Sequence, residues 1–432
     1  MAVKVAALRR VKLSDCASFQ EGYVNPPQGV PEYFGDEVKW LRAVDLNNSF
    51  VWETSRRLSR AGFESAGKAS LLFEPDTLAI SKSGTIGRLG ILKDYMCGNR
   101  AVINIKTDRT KFDTRFIFYS LLTRRREIES RAVGSVQPNL YCSALGDIEI
   151  EAPPLAEQKA IASVLGALDD KIELNRQMNA TLEAMARALF QSWFVDFDPV
   201  RAKLDGRKPY GLEEAIATLF PASFQDSALG TIPQGWEVCP LSEKIQLLSG
   251  GTPSTSEPTY WDGGIPWYSV RDAPSETDVW VIHTDKHVTK LGIANSAAQV
   301  FPEKTTIISA RGTVGKLALT AVPMAMNQSC YGVRGIAGYC DYFTYYSLRE
   351  ATAQLQQRTH GTVFDTITTA TFKTLDCIFP APNITAAFDK VVEPMLSQIR
   401  ANLHQSRTLA TLRDTLLPKL LNGELRTTSD HT

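Results

Sequence analysis

The sequence predicts an α+β protein built from two tandem, pseudo-symmetric domains, each followed by a long helix. Three observations carry this. The 432-residue chain repeats itself at a spacing of 227–228 residues, each copy opens with short β-type runs, and each copy ends in a stretch whose apolar period lengthens to that of a helix. Trp40 and Asp45 in Trp-Leu-Arg-Ala-Val-Asp recur as Trp267 and Asp272 in Trp-Tyr-Ser-Val-Arg-Asp. Ser81-Lys-Ser-Gly-Thr-Ile-Gly-Arg88 recurs as Ser309-Ala-Arg-Gly-Thr-Val-Gly-Lys316, Asn99 as Asn327, and Phe116–Leu121 as Phe343–Leu348. Ordered repetition of a Trp, two glycine pairs and an aromatic cluster at one spacing points to a duplicated module.

Within the first copy, Leu71-Leu-Phe, Gly90-Ile-Leu and Ala101-Val-Ile-Asn-Ile read as strands because Gly, Pro, Asn and Ser break them off. A helix-like aromatic segment near 115–130 follows, then a Gly-Ser/Thr-Val loop (Gly134–Gln137; Gly361–Phe364) and a strand ending at Pro153 or Pro380. After each proline, Ile161/Phe388, Leu165/Val392, Leu168/Met395, Ile172/Ile399, Asn175/Asn402, Leu182/Leu409 and Leu189/Leu416 line up at offset 227, stepping mainly by three and four. Such a helix of about 35 residues would run roughly 50 Å and has no core of its own, so its sister is the obvious partner. Asn175 and Asn402 interrupt the apolar line. Either they are solvated or they set the register of the helix pair, and their place on the a/d-type seam favours register. Gly166 and Pro394 predict a kink near the start of both helices. Residues 195–235 read as a connector that starts packed around Trp193–Phe197 and ends loose.

Composition narrows the function. Formal net charge is zero, which weighs against a general nucleic-acid binder, although residues 1–154 hold 22 Lys and Arg against 18 Asp and Glu. The seven cysteines stand singly with no Cys-x-x-Cys, which fits a reducing cytoplasm, and no apolar run is long enough for a membrane span.

With these parts assembled, the chain resembles the specificity subunit of Type I restriction-modification enzymes. The resemblance rests on Pro153-Pro-Leu-Ala-Glu157-Gln158-Lys-Ala-Ile161, on Trp193-Phe-Val-Asp196-Phe-Asp198-Pro-Val-Arg201-Ala-Lys203, on Ile232-Pro-Gln-Gly235-Trp236-Glu237, and on Leu412-Arg-Asp414-Thr-Leu-Leu-Pro418 through Leu425. It implies two target-recognition domains (1–154 and 236–382), each reading half of a split double-stranded DNA site. It also implies two antiparallel, coiled-coil conserved helices (155–194 and 383–422) between them, the connector 195–235 and a tail 423–432. Two modification subunits carrying S-adenosylmethionine and restriction subunits using ATP are the implied partners, so this chain is expected to hold no cofactor. Helix two departs from the pattern: it begins Pro382-Asn-Ile-Thr, without the Glu-Gln of the first copy.

A self-sufficient methyltransferase would need an Asp/Asn-Pro-Pro-aromatic motif for a flipped base. Asn25-Pro-Pro-Gln28 offers no aromatic to stack, copy two lacks it, and a proline turn is the plainer reading. The glycine loops lack the spacing of a phosphate loop or a dinucleotide fold. They do place Lys82, Ser83 and Arg88, and in copy two Arg311 and Lys316, beside backbone that can approach a phosphate; a purely structural turn is the alternative. Arg124 and Arg125, Ser135 and Gln137, and Thr362 complete the candidate DNA contacts, with a solvated helix face as the alternative for the arginines. His283 and His287 lack a third metal ligand nearby. The leading reading is a non-catalytic DNA-recognition and scaffold subunit; the rival is a duplicated coiled-coil adaptor that binds protein.

Overall fold

The computed structural model describes residues 8–358 and 366–426. Its compact units are residues 1–173 with 408–432, and residues 174–407. Each is a copy of the module seated on one half of each long helix.

In the first unit, β1 (Ala17–Glu21), β2 (Ser49–Val51), β3 (Leu78–Ser81), β4 (Leu89–Leu92) and β5 (Val102–Thr107) form a sheet in the order β1-β5-β3-β4-β2. In the second unit, β6 (Ile245–Ser249), β7 (Trp280–Val281), β8 (Thr306–Ser309), β9 (Leu317–Thr320) and β10 (Cys330–Gly335) repeat it as β6-β10-β8-β9-β7. Pairing is antiparallel throughout except at β2–β4 and β7–β9, which are parallel. Strands β3, β4 and most of β5 are buried on both faces, which is why they read as unbroken apolar runs. A smaller sheet packs beside each, built around Phe34–Leu41 in one copy and Trp261–Tyr268 in the other, with a register irregularity after Phe34 and after Trp261. The entering strand of each module pairs with the leaving one, Arg9–Lys12 with Glu149–Ala152 and Glu237–Pro240 with Asp376–Phe379.

The repeated motif residues hold the module together. The Trp40 indole N–H donates to the Val24 carbonyl at 2.8 Å, and Trp267 donates to Gly251 at 2.9 Å. Asp45 accepts the Arg42 and Ser55 amides, and Asp272 those of Ser269 and Asp285. A Cβ at Gly22 would sit 2.2 Å from the Asn99 carbonyl oxygen, and one at Gly250 2.0 Å from that of Asn327. The chain can cross itself there only where the side chain is absent.

The aromatic segments form α1 (Thr114–Leu122) and, after a break, Arg125–Ser130 in copy one. The long helices are α2 (Leu155–Phe194) and α4 (Pro382–Leu421), and α3 (Asp341–Arg358) lies between them in sequence. Within the first unit Asp169 meets Arg413, and Leu417 and Leu420 join the cluster that holds Ile161 and Leu165. Within the second unit Asn175 meets Asn402, and Phe190 meets Phe388. In both units one helix index rises as the other falls, so the halves pair antiparallel.

Both long helices remain helical through Gly166 and Pro394. Gly166 clears space for Arg115, whose Nη1 would lie 2.3 Å from a Cβ at that position. One expectation needs correction. The connector does not end loose. It forms Asp198–Leu204, Glu214–Ala217 and a hairpin of Phe224–Ser227 with Gly230–Pro233. Ile232 and Trp236 are buried in the same cluster as Trp193 and Phe194, because Trp236 packs edge-on to Phe197 at 5.6 Å. Polar composition hid an aromatic seat.

Candidate nucleic-acid interface

The glycine loop turns the β3–β4 hairpin in copy one and the β8–β9 hairpin in copy two, and the two loops share one hydrogen-bond pattern. The buried Ser81 hydroxyl donates to the Thr85 carbonyl at 2.5 Å and accepts the Arg88 amide at 2.9 Å. The Ser309 hydroxyl donates to Thr313 at 2.5 Å and accepts the Lys316 amide at 2.8 Å. Gly84, Gly87, Gly312 and Gly315 all adopt φ between +74° and +84°, which only glycine takes up cheaply. At the tips, Gly84 and Gly312, nothing lies within 4 Å of where a Cβ would stand. Each loop is thus a rigid turn with an open crest that a phosphate or base edge could approach.

Hydrogen bonds gather the second candidate loop to the first. The Lys82 amide donates to Ala101 and its carbonyl accepts the Leu140 amide, which tethers the end of the 134–137 loop. That loop closes on a Val133–Asn139 bridge, leaving Ser135 and Gln137 exposed. In copy two, Ala310 donates to Ser329 and accepts from Ile367 in the same pattern. Thr362 lies outside the described residues.

The side chains on this shared backbone differ in kind. Lys82 is not a free cation, as its Nζ lies 2.7 Å from Glu21 and the pair is largely buried. Burial would raise the Glu21 carboxyl, but Lys82 beside it holds it below its ordinary value. Copy two has Ala310 and Ser249 at these positions. Arg124 is also committed, donating to the Glu149 and Ser120 carbonyls, both at 3.0 Å, where it ties a helix end to a strand. Arg125 pairs with Glu129 at 2.9 Å and packs its stem beside Gly87. Ser83 and Arg88 are half-exposed at the loop, and so is Lys316, while Arg311 is exposed. Sequence reading did not single out Tyr23, about half exposed, or Val136, almost wholly exposed on the 134–137 loop. A large apolar side chain in a polar loop was the available signal for Val136.

Asn175 and Asn402 are both buried, with no part in the loops. Asn175 Nδ2 donates to Gln405 Oε1 at 2.9 Å and Ser406 Oγ at 3.1 Å, and Asn402 Nδ2 donates to Asn179 Oδ1 at 2.9 Å. Asn179 donates on to Asp278 at 3.1 Å, so the network reaches from the helices into the module. Asn25-Pro-Pro leads into a turn at Gln28-Gly29 closed by Val30 N–H on the Pro27 carbonyl, with Gln28 held by Arg56. The rings of His283 and His287 stand 5.6 Å apart, and the described residues contain no cluster of three metal-binding side chains.

Comparison with known proteins agrees with this duplicated layout. Residues 10–184 and 233–411 each match the model of the type I restriction modification DNA specificity domain. The chain is 27% identical over 411 residues to the MjaIX specificity subunit of Methanocaldococcus jannaschii, covering 94% of this chain and 90% of that one. It is 29% identical over 329 residues to the HindI specificity subunit of Haemophilus influenzae, covering 67% and 71%. The fold is similar to the crystal structure of a Type-I restriction-modification system S subunit from M. genitalium, with a TM-score of 0.56 at 16% identity over 97% of both chains.

Proposed function

The chain belongs to the type I restriction-modification DNA specificity family, and from that premise we propose that it reads a bipartite, asymmetric DNA target, one half with each unit. It is the specificity subunit, and the chemistry falls to others. On this reading two modification subunits bring S-adenosylmethionine and methylate adenine, restriction subunits bring ATP-driven cleavage, and the complex works in the cytoplasm. The observation that carries it is one rigid loop presenting two different sets of side chains: Lys82, Ser83 and Arg88 against Ala310, Arg311 and Lys316. Equal backbones with unequal side chains suit two half-sites of unequal sequence, since base edges are read by side chains and phosphates by position. The buried asparagine network would then fix the register in which the helices hold the units.

The test is to map methylated adenines across a genome in which the chain is expressed with its modification partner. A split motif with two different halves is expected. A palindromic motif, or methylation that does not depend on this chain, would overturn the reading.

A further inference from the structure

The second unit has a cleft of about 430 Å³ beside its glycine loop, and the first unit lacks two of the three cations that line it. Arg187 from α2, Arg349 from α3 and Lys316 from the loop line it together, with Glu276 as the acidic member. The loop backbone from Thr313 to Leu317 forms one wall.

The charges are not all spent. Arg349 is anchored by the buried Glu183 carboxylate at 2.5 Å, and its other nitrogen lies 3.7 Å from Glu276. Among the described residues, neither Arg187 nor Lys316 has a carboxylate partner in the ion pairs formed, and Arg187 is exposed. Three cations thus face two acids, one of which is buried behind Arg349. Two of the cations are guanidinium groups, whose forked donors match phosphate oxygens. The repeat shows that this is not a by-product of the fold. At the equivalent positions the first unit carries Asp414 for Arg187, Leu122 for Arg349 and Arg88 for Lys316, and Asp414 is paired with Arg413 at 2.8 Å.

We propose that this cleft grips backbone phosphates of duplex DNA at the second half-site, so that helix α2 as well as the recognition loop holds the DNA there. The proposal rests on the reading of the chain as a DNA-recognition subunit. It makes the grip lopsided, since the second unit adds a helix cation, Arg187, where the first unit has Asp414.

The experiment compares the full-length chain, in the complex it purifies in, with the double variant Arg187→Gln/Lys316→Gln. The readouts are duplex-DNA affinity across a salt series and hydroxyl-radical footprinting. Each phosphate contact contributes about 0.9 to the slope of log affinity against log salt, so the variant slope should be shallower by about 1.8, with protection lost on the second half-site alone. Both side chains are at the surface, and an unchanged melting temperature separates lost contact from lost folding. A control pair in the first unit, Arg60→Gln/Lys106→Gln, should leave the slope unchanged. The cleft proposal is overturned if the double variant keeps the original slope, or if both half-sites weaken equally. Failure of the unaltered complex to bind duplex DNA at any salt would overturn the functional reading itself, and the cleft with it.

Discussion

The two units seat the same module on their helices with different chemistry at matching positions. In the first unit the seat is ionic: Arg115 holds Asp170 through two hydrogen bonds of 2.8 and 2.9 Å, and Asp169 accepts the Tyr119 hydroxyl at 2.6 Å and Arg413 at 2.7 Å. In the second, the matching positions are Tyr342 and Ser397, and Leu396, Tyr346 and Ala186. There these positions join an aromatic cluster, and the ion pairs lie elsewhere, at Arg349–Glu183, Lys304–Glu393 and Arg400–Glu303. Phe388 touches Phe190, Trp193, Phe194 and Tyr346 at centroid distances of 5.3–5.9 Å, where the first unit has Ile161, Leu417, Leu420, Leu421 and Tyr119. A duplicated backbone therefore does not require a duplicated interface. Burial of apolar area and satisfied buried charge each hold the joint, and each leaves its own weakness.

Cutting the aromatic seat should have the largest effect. Phe388→Ala removes a fully buried ring and is expected to cost about 3–5 kcal/mol, with faster hydrogen exchange confined to the second unit. Equal loss of protection in both units would show that the seats are not independent.

Next comes the ionic seat. Asp169→Leu copies the second unit's residue, leaves the Tyr119 hydroxyl without its acceptor and the Arg413 guanidinium with Asp414 alone, and should cost about 2–3 kcal/mol. The triple variant Asp169→Leu/Tyr119→Phe/Arg413→Ala converts the polar seat to apolar and should recover most of that loss. If denaturation shows the triple variant to be weaker than the single one, the network contributes more than its unmet partners cost.

A smaller difference is expected with pH. In the second unit Asp389 caps α3 by accepting the Tyr342 and Phe343 amides at 3.0 and 2.8 Å. Burial nevertheless pushes its carboxyl up to about 7. A folded-state value above the unfolded one means that the native state binds the extra proton. Stability of the second unit should then rise as pH falls from about 7 towards 4, by at most about 1.4 kcal/mol per pH unit. The first unit has Ala162 there. Its Asp76, held low chiefly by a hydrogen bond from Lys93, contributes stability above the unfolded value that is lost as pH falls through the folded one. Asp389→Asn should abolish the gain on acidification, and a gain that persists in that variant would assign it elsewhere.

The smallest contrast lies in one atom. Tyr346 has a buried hydroxyl with no partner because Leu396 stands where the first unit has Asp169. Tyr346→Phe should therefore be neutral or stabilising by up to about 1 kcal/mol, whereas Tyr119→Phe should cost about 1–2 kcal/mol. Equal effects in thermal melts would contradict the assignment of these two hydroxyls.

The sequence by itself determined the duplication, the strand-rich modules, the two long helices and the turn chemistry of the glycine loops. Each of these is written in local pattern: period, glycine where φ is positive, and a Trp or Asp whose hydrogen bonds recur at one spacing. It placed Lys82, Arg88, Arg311 and Lys316 on the glycine loops for the same reason. Only the tertiary structure decided which cations have charge to spare, because Glu21 reaches Lys82 from 61 residues away and the Ser120 and Glu149 carbonyls occupy Arg124. It also decided that the polar connector closes over Trp236, and that Arg187, distant in sequence from the loop, shares a cleft with Lys316. Ion pairing and desolvation depend on distances of a few ångströms between residues far apart in the chain, and no periodicity along the sequence encodes those.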